Sequence, residues 1–154
     1  MIADFIEEIL DTDLEIVARI HAACFHDAWG PTMLRQVLAM PGSFGLVARW
    51  GRRNSLVGFA LARVAADECE LLSLGVAPEH RARGIGATLL RDTMAQAATQ
   101  NATRFFLEVA EDNEPALKLY RAHGLTKAGR RPEYYENSTG PRTAALTMRC
   151  DLDR

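Results

Sequence analysis

Apolar and polar positions along the chain follow two different spacings, and the order of these spacings predicts a mixed α/β fold. Alternating or continuous apolar runs predict seven strands, at 5–10, 44–49, 56–65, 68–76, 104–109, 126–130 and 143–149. Apolar residues three and four positions apart predict four helices, at about 14–23, 31–40, 84–98 and 113–123.

Residues near the predicted helix ends support these boundaries. Thr12 and Glu15 have the spacing of a capping box, which predicts the start of the first helix. Pro31 is tolerated in the first turn of the second helix, and Pro41 stops that helix. Gly124 follows the last predicted helix, where a glycine commonly ends the final turn.

The order of the elements predicts the construction of the sheet. The polar, glycine-containing segment 50–55 joins two strands as a hairpin, and 68–76 adds a third antiparallel strand. The helix at 84–98 then predicts a crossover to the strand at 104–109. With 154 residues, 48% of them hydrophobic, and no repeat or linker, we expect a single domain over 1–154 of the α/β (α+β) class.

Charge and cysteine content exclude several classes of protein. The formal net charge of −2 argues against nucleic-acid binding, which depends on clustered lysines and arginines. Cys24, Cys69 and Cys150 lack the spacing of a disulfide framework or a zinc site, and the four histidines lack metal-binding spacing, so we expect no metal and place the histidines at the surface or at helix ends. Without a secretory signal or membrane-spanning run, we expect a cytoplasmic protein that does not bind a membrane.

The segment 81–87, RARGIGA, follows the apolar run 72–78, LSLGVAP, after two intervening residues. A strand that turns into a glycine-rich helix start offers free backbone amides to an anion, and glycine lets an oxygen approach closely. A Walker A loop needs a lysine that is absent, and the third glycine of a dinucleotide fingerprint is also missing. On these residues alone, a helix start without any ligand stays equally open.

The strand ending in Val76 and Pro78, followed by Arg81, Gly84 and Gly86, resembles the acetyl-CoA signature of the GNAT acetyltransferases. The resemblance implies acetyl-CoA as co-substrate and a mostly antiparallel sheet whose strands at 68–76 and 104–109 splay apart to admit it. The backbone at 74–76 would bind the pantetheine arm, and that at 82–87 the pyrophosphate. The implied cofactor-binding residues are Leu74, Gly75, Val76, Arg81, Ala82, Arg83, Gly84, Ile85, Gly86 and Ala87.

A second group of residues resembles the RimI branch of that family, whose members acetylate the N-terminus of ribosomal protein S18. Glu108, Asn113 and Tyr120 have the branch's spacing, and the run 130–135, RRPEYY, is similar to its Arg-Arg-x-Tyr-Tyr segment, which we expect to be a polar loop. The resemblance implies that Glu108 is the general base, Tyr120 the general acid and Asn113 a ligand of acetyl-CoA. Asn113 is also a suitable helix N-cap, and the two roles are compatible.

Direct transfer of acetyl to an amine requires a group that removes the amine proton, and a carboxylate can do this. Glu68 and Glu70 on the preceding strand are rivals to Glu108 for that role. The backbone N–H of Val76 would stabilise the oxyanion, and Tyr120 would protonate the departing thiolate. Tyr120 could equally be a core aromatic, and Glu108 a carboxylate paired for structural reasons.

The expected acceptor is a primary amine. We expect a peptide or protein N-terminus, with a ribosomal protein as one candidate, and a monomer or homodimer. Glu111 and Asp112 make the acceptor side acidic, while Leu125 replaces the phenylalanine usual in the family. A small amine, a lysine side chain or a non-catalytic acetyl-CoA-binding module are the alternatives. Aromatic residues that could line the acceptor side are Phe25, Trp29, Tyr134 and Tyr135.

Overall fold

A computed structural model describes residues 5–135 and 143–152 of the chain. Its sheet contains seven strands, which are β1 (Phe5–Glu8), β2 (Ser43–Trp50), β3 (Ser55–Ala65), β4 (Glu68–Val76), β5 (Arg104–Ala110), β6 (Thr126–Tyr135) and β7 (Thr143–Asp151). Four α-helices accompany it in the described ranges, namely α1 (Leu14–Cys24), α2 (Pro31–Leu38), α3 (Ile85–Thr99) and α4 (Glu114–Ala122). The predicted number, type and order of elements are therefore confirmed.

The strands lie in the order β1-β2-β3-β4-β5-β7-β6, and every neighbouring pair is antiparallel except β4 and β5. These two are parallel because α3 carries the chain back across the sheet between them. They pair only from Glu68 opposite Arg104 to Glu70 opposite Phe106. Both strands continue well beyond that point, so their far ends diverge and leave the expected gap between Val76 and Ala110.

Two layers of helices cover the sheet, and each has its own core. On one face, α3 and α4 contribute Leu89 and Leu117 to a cluster that includes Phe105 and Leu107 of β5. On the other face, α1 and α2 pack on Phe59 and other residues of β2 and β3. Side chains alternate along a strand, so Phe106 and Glu108 of β5 point to the opposite face from Phe105 and Leu107, which is the face covered by α1.

An irregularity in β4 changes which residues face which core. Leu61 of β3 lies opposite Ser73 of β4, but the next residue of β3, Ala62, lies opposite Leu71. The pairing therefore skips Leu72, which forms a bulge in β4. Leu71 packs with the α3 cluster, and beyond the shift so does Leu74. A bulge of this kind re-aims the side chains and increases the local twist, which helps the end of β4 leave β5.

Several predicted boundaries differ from the structure. The chain enters α1 through a 3-10 turn at Asp11–Asp13, and the Asp13 carboxylate accepts a hydrogen bond from the Leu10 N–H at 2.9 Å, so the Thr12–Glu15 capping box is wrong. The second helix ends at Leu38, before Met40, since Ser43 N–H already bonds to the Met40 carbonyl in the turn into β2.

The segment containing Tyr134 and Tyr135, expected to be a polar loop, belongs to β6. Pairing with β7 continues past a register shift as far as Tyr135 opposite Thr143. The polar composition of this segment is compatible with a strand because β6 is at the edge of the sheet. None of the helices in 5–135 and 143–152 combines the length and apolarity needed to cross a bilayer.

Candidate active site

The residues of the glycine segment meet β4 and α4 at the gap. A Cβ built on Gly86 would lie 3.6 Å from Leu119 Cδ2 of α4 and 3.8 Å from Val76 Cγ2 of β4. Gly84 caps α3 with a positive φ of 82°, and Ala82 has a φ of 63°. The first amides of α3 lack intrahelical acceptors and point out of its N-terminus, so they can bind an anion beside the end of β4.

Backbone directions at the end of β4 leave Val76 exposed to the gap. The Ala77 N–H bonds to the Val57 carbonyl of β3 at 2.8 Å. Because successive amides of a strand point in opposite directions, the Val76 N–H and carbonyl point away from β3. The Val76 carbonyl accepts hydrogen bonds from Arg81 Nε at 3.1 Å and from Cys24 Sγ at 3.5 Å.

The two arginines of the glycine segment occupy different places. The Arg81 guanidinium lies across the end of β4, with Nη2 3.3 Å from Cys24 Sγ in addition to its bond to Val76. Arg83 lies over the ring of Trp50 at the end of β2, 5.5 Å from the ring centroid. Both side chains are exposed, so both positive charges are available near the start of α3.

Glu108 of β5 points toward the α1 face of the gap. One of its oxygens, Oε1, lies 3.5 Å from Nη2 of Arg131 on β6. The other, Oε2, is buried and has no hydrogen-bond partner among the described residues. A buried carboxylate oxygen without a partner is costly, and such an oxygen is suited to accept a proton or a hydrogen bond from a ligand.

The two rival carboxylates, Glu68 and Glu70, both lie near the start of β4, where this strand pairs with β5. Glu68 is exposed at the start of the strand beside Arg104, 4.0 Å away, and thus far from the gap. Glu70 is half-buried on the same face as Glu108. Burial and then the negative charge of Glu108 raise the pKa of Glu70, while Arg63 acts in the opposite direction.

Tyr120 of α4 lies on the opposite face of the sheet from Glu108, and Asn113 is the residue immediately before that helix. Tyr120 is 7% exposed and belongs to the α3-side core, so its burial agrees with the alternative of a core aromatic, and its role as general acid stays a prediction. Leu119, the residue before it, faces Gly86. Asn113 is the N-cap of α4, and its Oδ1 accepts a hydrogen bond from the Ala116 N–H at 3.3 Å.

The end of α1 and the turn after it lie beside the end of β4, where Cys24 contacts Val76. His21 lies in the last turn of α1, as the helix-end alternative predicted, but it is only 3% exposed and is therefore not a surface residue. Its ring stacks on Trp29 and Phe59, and Nδ1 accepts a hydrogen bond from the Trp29 N–H at 3.1 Å. His21 occupies the buried face of α1 with Leu14 and Val17, and this spacing was the sequence signal for its burial.

Phe25 and Trp29 therefore lie together beside His21, with ring centroids 4.6 and 4.9 Å from it. The contacts of Cys24 and the ion pair between Arg131 and Glu108 were not predicted from the sequence, because both join residues that are distant in the chain. A cleft of about 520 Å³ elsewhere is lined by residues such as Met94, His123 and Arg149. It lies at the end of the sheet where β5 starts, away from the gap.

Comparison with known proteins identifies the class. The model of the acetyltransferase (GNAT) family matches residues 14–125, which include α1 through α4 and the whole gap. The chain belongs to this family.

Relatives narrow the class further. The chain is 37% identical over 145 residues to the N-alpha-acetyltransferase RimI of Mycobacterium tuberculosis, covering 90% of this chain and 87% of the relative. It is 28% identical to the ribosomal protein bS18-alanine N-acetyltransferase of Haemophilus ducreyi, with 93% and 97% coverage. The crystal structure of the ribosomal-protein-S18-alanine N-acetyltransferase from Escherichia coli shares the fold, with a TM-score of 0.88, 22% identity and 97% and 94% coverage. This protein is an N-acetyltransferase.

Proposed function

We propose that this enzyme transfers the acetyl group of acetyl-CoA to the N-terminal α-amino group of a protein, with ribosomal protein S18 as the first candidate acceptor. The observation that carries the proposal is the buried oxygen of Glu108 beside the gap between β4 and β5, which has no hydrogen-bond partner in the described part of the chain. The names of the relatives from Mycobacterium tuberculosis and Haemophilus ducreyi support the choice of an α-amine. A ribosomal acceptor would place the reaction in the cytoplasm.

The residues on the α3 side suit acetyl-CoA. The pyrophosphate is bound by the amides of Ala82 to Ala87 at the start of α3, and Arg83 adds a positive charge there. The pantetheine arm runs along Leu74, Gly75 and Val76, where the strand edge lacks β5 as a partner. Such an edge offers amides and carbonyls to a ligand in the way it would to another strand.

The hydrogen bond from Arg81 to the Val76 carbonyl has to break before this edge of β4 is fully available to the pantetheine arm. The Arg81 side chain is exposed, so the movement costs little packing. Released from Val76, the guanidinium can reach the phosphates, which is the role that its position in the signature implies. Asn113 completes the cofactor-binding set at the start of α4.

The reaction is a direct transfer. Glu108 Oε2 accepts a proton from the ammonium group of the acceptor, directly or through a water molecule, and the free amine attacks the thioester carbonyl. The Val76 N–H, which points into the gap, donates a hydrogen bond to the oxyanion. The carbon–sulfur bond then breaks as Tyr120 donates its phenolic proton to the thiolate of coenzyme A, and the second proton released by the acceptor nitrogen passes through water to the Tyr120 phenolate, which leaves the neutral amide.

Charge on the acceptor side favours a cationic substrate. Glu70 and Glu108 lie on the same face of the sheet, and Glu111 follows at the end of β5. An α-ammonium group entering this face is attracted by both carboxylates. Phe25 and Trp29 provide apolar surface for the first side chains of a peptide, and this aromatic surface favours a peptide over a small polyamine.

The test is acetylation of defined peptides with isotope-labelled acetyl-CoA, followed by mass spectrometry. We expect label on the α-amine of a peptide with the S18 N-terminal sequence, and none on the same peptide with a blocked N-terminus and an internal lysine. Labelling of the lysine, or of small amines only, would replace the proposed acceptor by one of the alternatives.

Variants separate catalysis from binding. Glu108→Gln and Tyr120→Phe should each reduce kcat by about 100-fold or more, with acetyl-CoA affinity retained. Gly86→Glu should abolish acetyl-CoA binding because its side chain enters the space between β4, α3 and α4. Unchanged turnover in both of the first two variants would exclude these catalytic roles while leaving the cofactor assignment intact.

A further inference from the structure

The two oxygens of Glu108 have different surroundings. Oε1 faces the guanidinium of Arg131 at 3.5 Å, whereas Oε2 is buried without a hydrogen-bond partner among the described residues. The Glu108 side chain is 27% exposed and that of Arg131 is 59% exposed. Arg131 therefore holds the Glu108 carboxylate from the solvent side. In this orientation, Oε2 points toward the interior of the site.

Arg131 reaches Glu108 across an intervening strand. In the register of the sheet, Glu108 lies opposite Thr147 of β7, and Arg131 lies opposite Ala145 on the other side of the same strand. The small side chain of Ala145 leaves room for the long arginine to cross β7. This contact depends on the pairing of three strands and on the edge position of β6.

Several charged groups surround Glu108. Glu70 on β4 faces it and has a raised pKa, caused first by burial and then by the charge of Glu108. Arg63 on β3 acts on Glu70 from the other side. On β6, Arg130 pairs with Glu111, its Nε lying 2.6 Å from Oε2.

Cys24 is the last residue of α1, and the Arg81 side chain lies at the end of β4. The two side chains contact each other and the Val76 carbonyl oxygen. Asp112 follows β5 and accepts a hydrogen bond from the Thr143 hydroxyl. Among these groups, Arg131 is the cation in an ion pair with Glu108.

We propose that Arg131 is a positioning residue for the general base: it fixes Oε1 of Glu108 and directs Oε2 to the acceptor amine. The inference rests on the proposed role of Glu108. Without the arginine, the carboxyl group can rotate, and a proton is more easily shared between the two neighbouring glutamates.

The experiment compares two adjacent arginines: Arg131 pairs with Glu108 of β5, and Arg130 pairs with Glu111, the residue after β5. Arg131→Gln removes the partner of Glu108, and Arg130→Gln removes the partner of Glu111 and serves as the matched control. The rate constant kcat/KM is measured from about pH 5 to 9 with saturating acetyl-CoA and the S18 N-terminal peptide.

For Arg131→Gln we expect kcat/KM at neutral pH to fall about threefold to tenfold and the acidic limb of its pH profile to move upward by about half to one pH unit. Arg131→Lys should restore the position of the limb in large part, because a positive charge returns. Arg130→Gln should leave the limb in place.

The double variant Glu108→Gln/Arg131→Gln tests whether the arginine acts through the glutamate. No additional loss relative to Glu108→Gln is expected, whereas additive losses would overturn the proposal. Equal pH profiles for Arg131→Gln and the wild type would also overturn it. Full activity of Glu108→Gln is a different result, because it contradicts the proposed function itself.

Discussion

The Sγ atom of Cys24, at the end of α1, lies 3.5 Å from the carbonyl oxygen of Val76, at the end of β4. This contact places a thiol at the strand edge along which we propose that the pantetheine arm binds. Arg81 touches both groups, so Cys24, Val76 and Arg81 form one cluster in the gap.

The first prediction concerns the reactivity of this thiol. N-ethylmaleimide should modify Cys24, and bound acetyl-CoA should slow that modification, because the ligand covers the same strand edge. Cys69 is a control within the same molecule: it is fully buried, and burial raises its pKa to about 12, so it should not react until the protein unfolds. Peptide mass spectrometry over time measures each site, and equal rates at Cys24 with and without acetyl-CoA would contradict the proposed path of the ligand.

The second prediction compares two glycines near the gap. A Cβ at Gly75 would lie 2.9 Å from Phe59 Cε1 and 3.1 Å from Cys24 Sγ, whereas the nearest atom to a Cβ at Gly86 is 3.6 Å away. Gly75→Ala should therefore cost about 1–3 kcal/mol of unfolding free energy through overpacking, while Gly86→Ala should cost much less. Thermal denaturation measures the difference, and an equal loss in both variants would show that Phe59 and Cys24 yield without strain.

The third prediction follows from His21. Burial lowers the pKa of this histidine, and the charge of Asp27 opposes the effect only in part. Because the unfolded chain binds the proton more readily, the folded protein should lose stability as the pH falls below the ordinary histidine pKa of about 6.5. The loss from this one group is at most about 1.4 kcal/mol per pH unit.

Urea denaturation at several pH values tests the role of His21. The variant His21→Gln should reduce the dependence on pH below about 6.5, whereas the exposed neighbour His26 provides the control variant His26→Gln, which should retain it. An identical pH dependence in His21→Gln and the wild type would show that other groups cause the acid sensitivity.

The fourth prediction separates the two roles of Asn113. Asn113→Ala removes the oxygen that accepts the Ala116 N–H and should destabilise the protein by about 1 kcal/mol. Asn113→Asp retains an N-cap oxygen, so the protein should keep its stability. If Asn113 also binds acetyl-CoA, the aspartate variant should still raise the KM for acetyl-CoA, and an unchanged KM would restrict this residue to capping.

The features that the sequence determined by itself are local ones. The glycine segment, the start of α3 and the cap at Asn113 depend on residues within a few positions of one another, and the structure contains them as expected. The spacing of apolar residues likewise determined that the chain forms seven strands and four helices in the described ranges. Propensity, capping and periodicity act over one or two turns, so they can be inferred from neighbouring residues.

Tertiary structure decided the environment of the candidate catalytic groups. Whether Glu68 or Glu70 lies near Glu108 depends on where β4 and β5 stop pairing, and the pairing of Arg131 with Glu108 depends on the register across β7. The burial of His21 required Phe59 and Trp29 from other elements. Burial and charge act through space between residues that the chain order keeps far apart. Therefore only the folded arrangement defines which oxygen of Glu108 has no hydrogen-bond partner within 5–135 and 143–152.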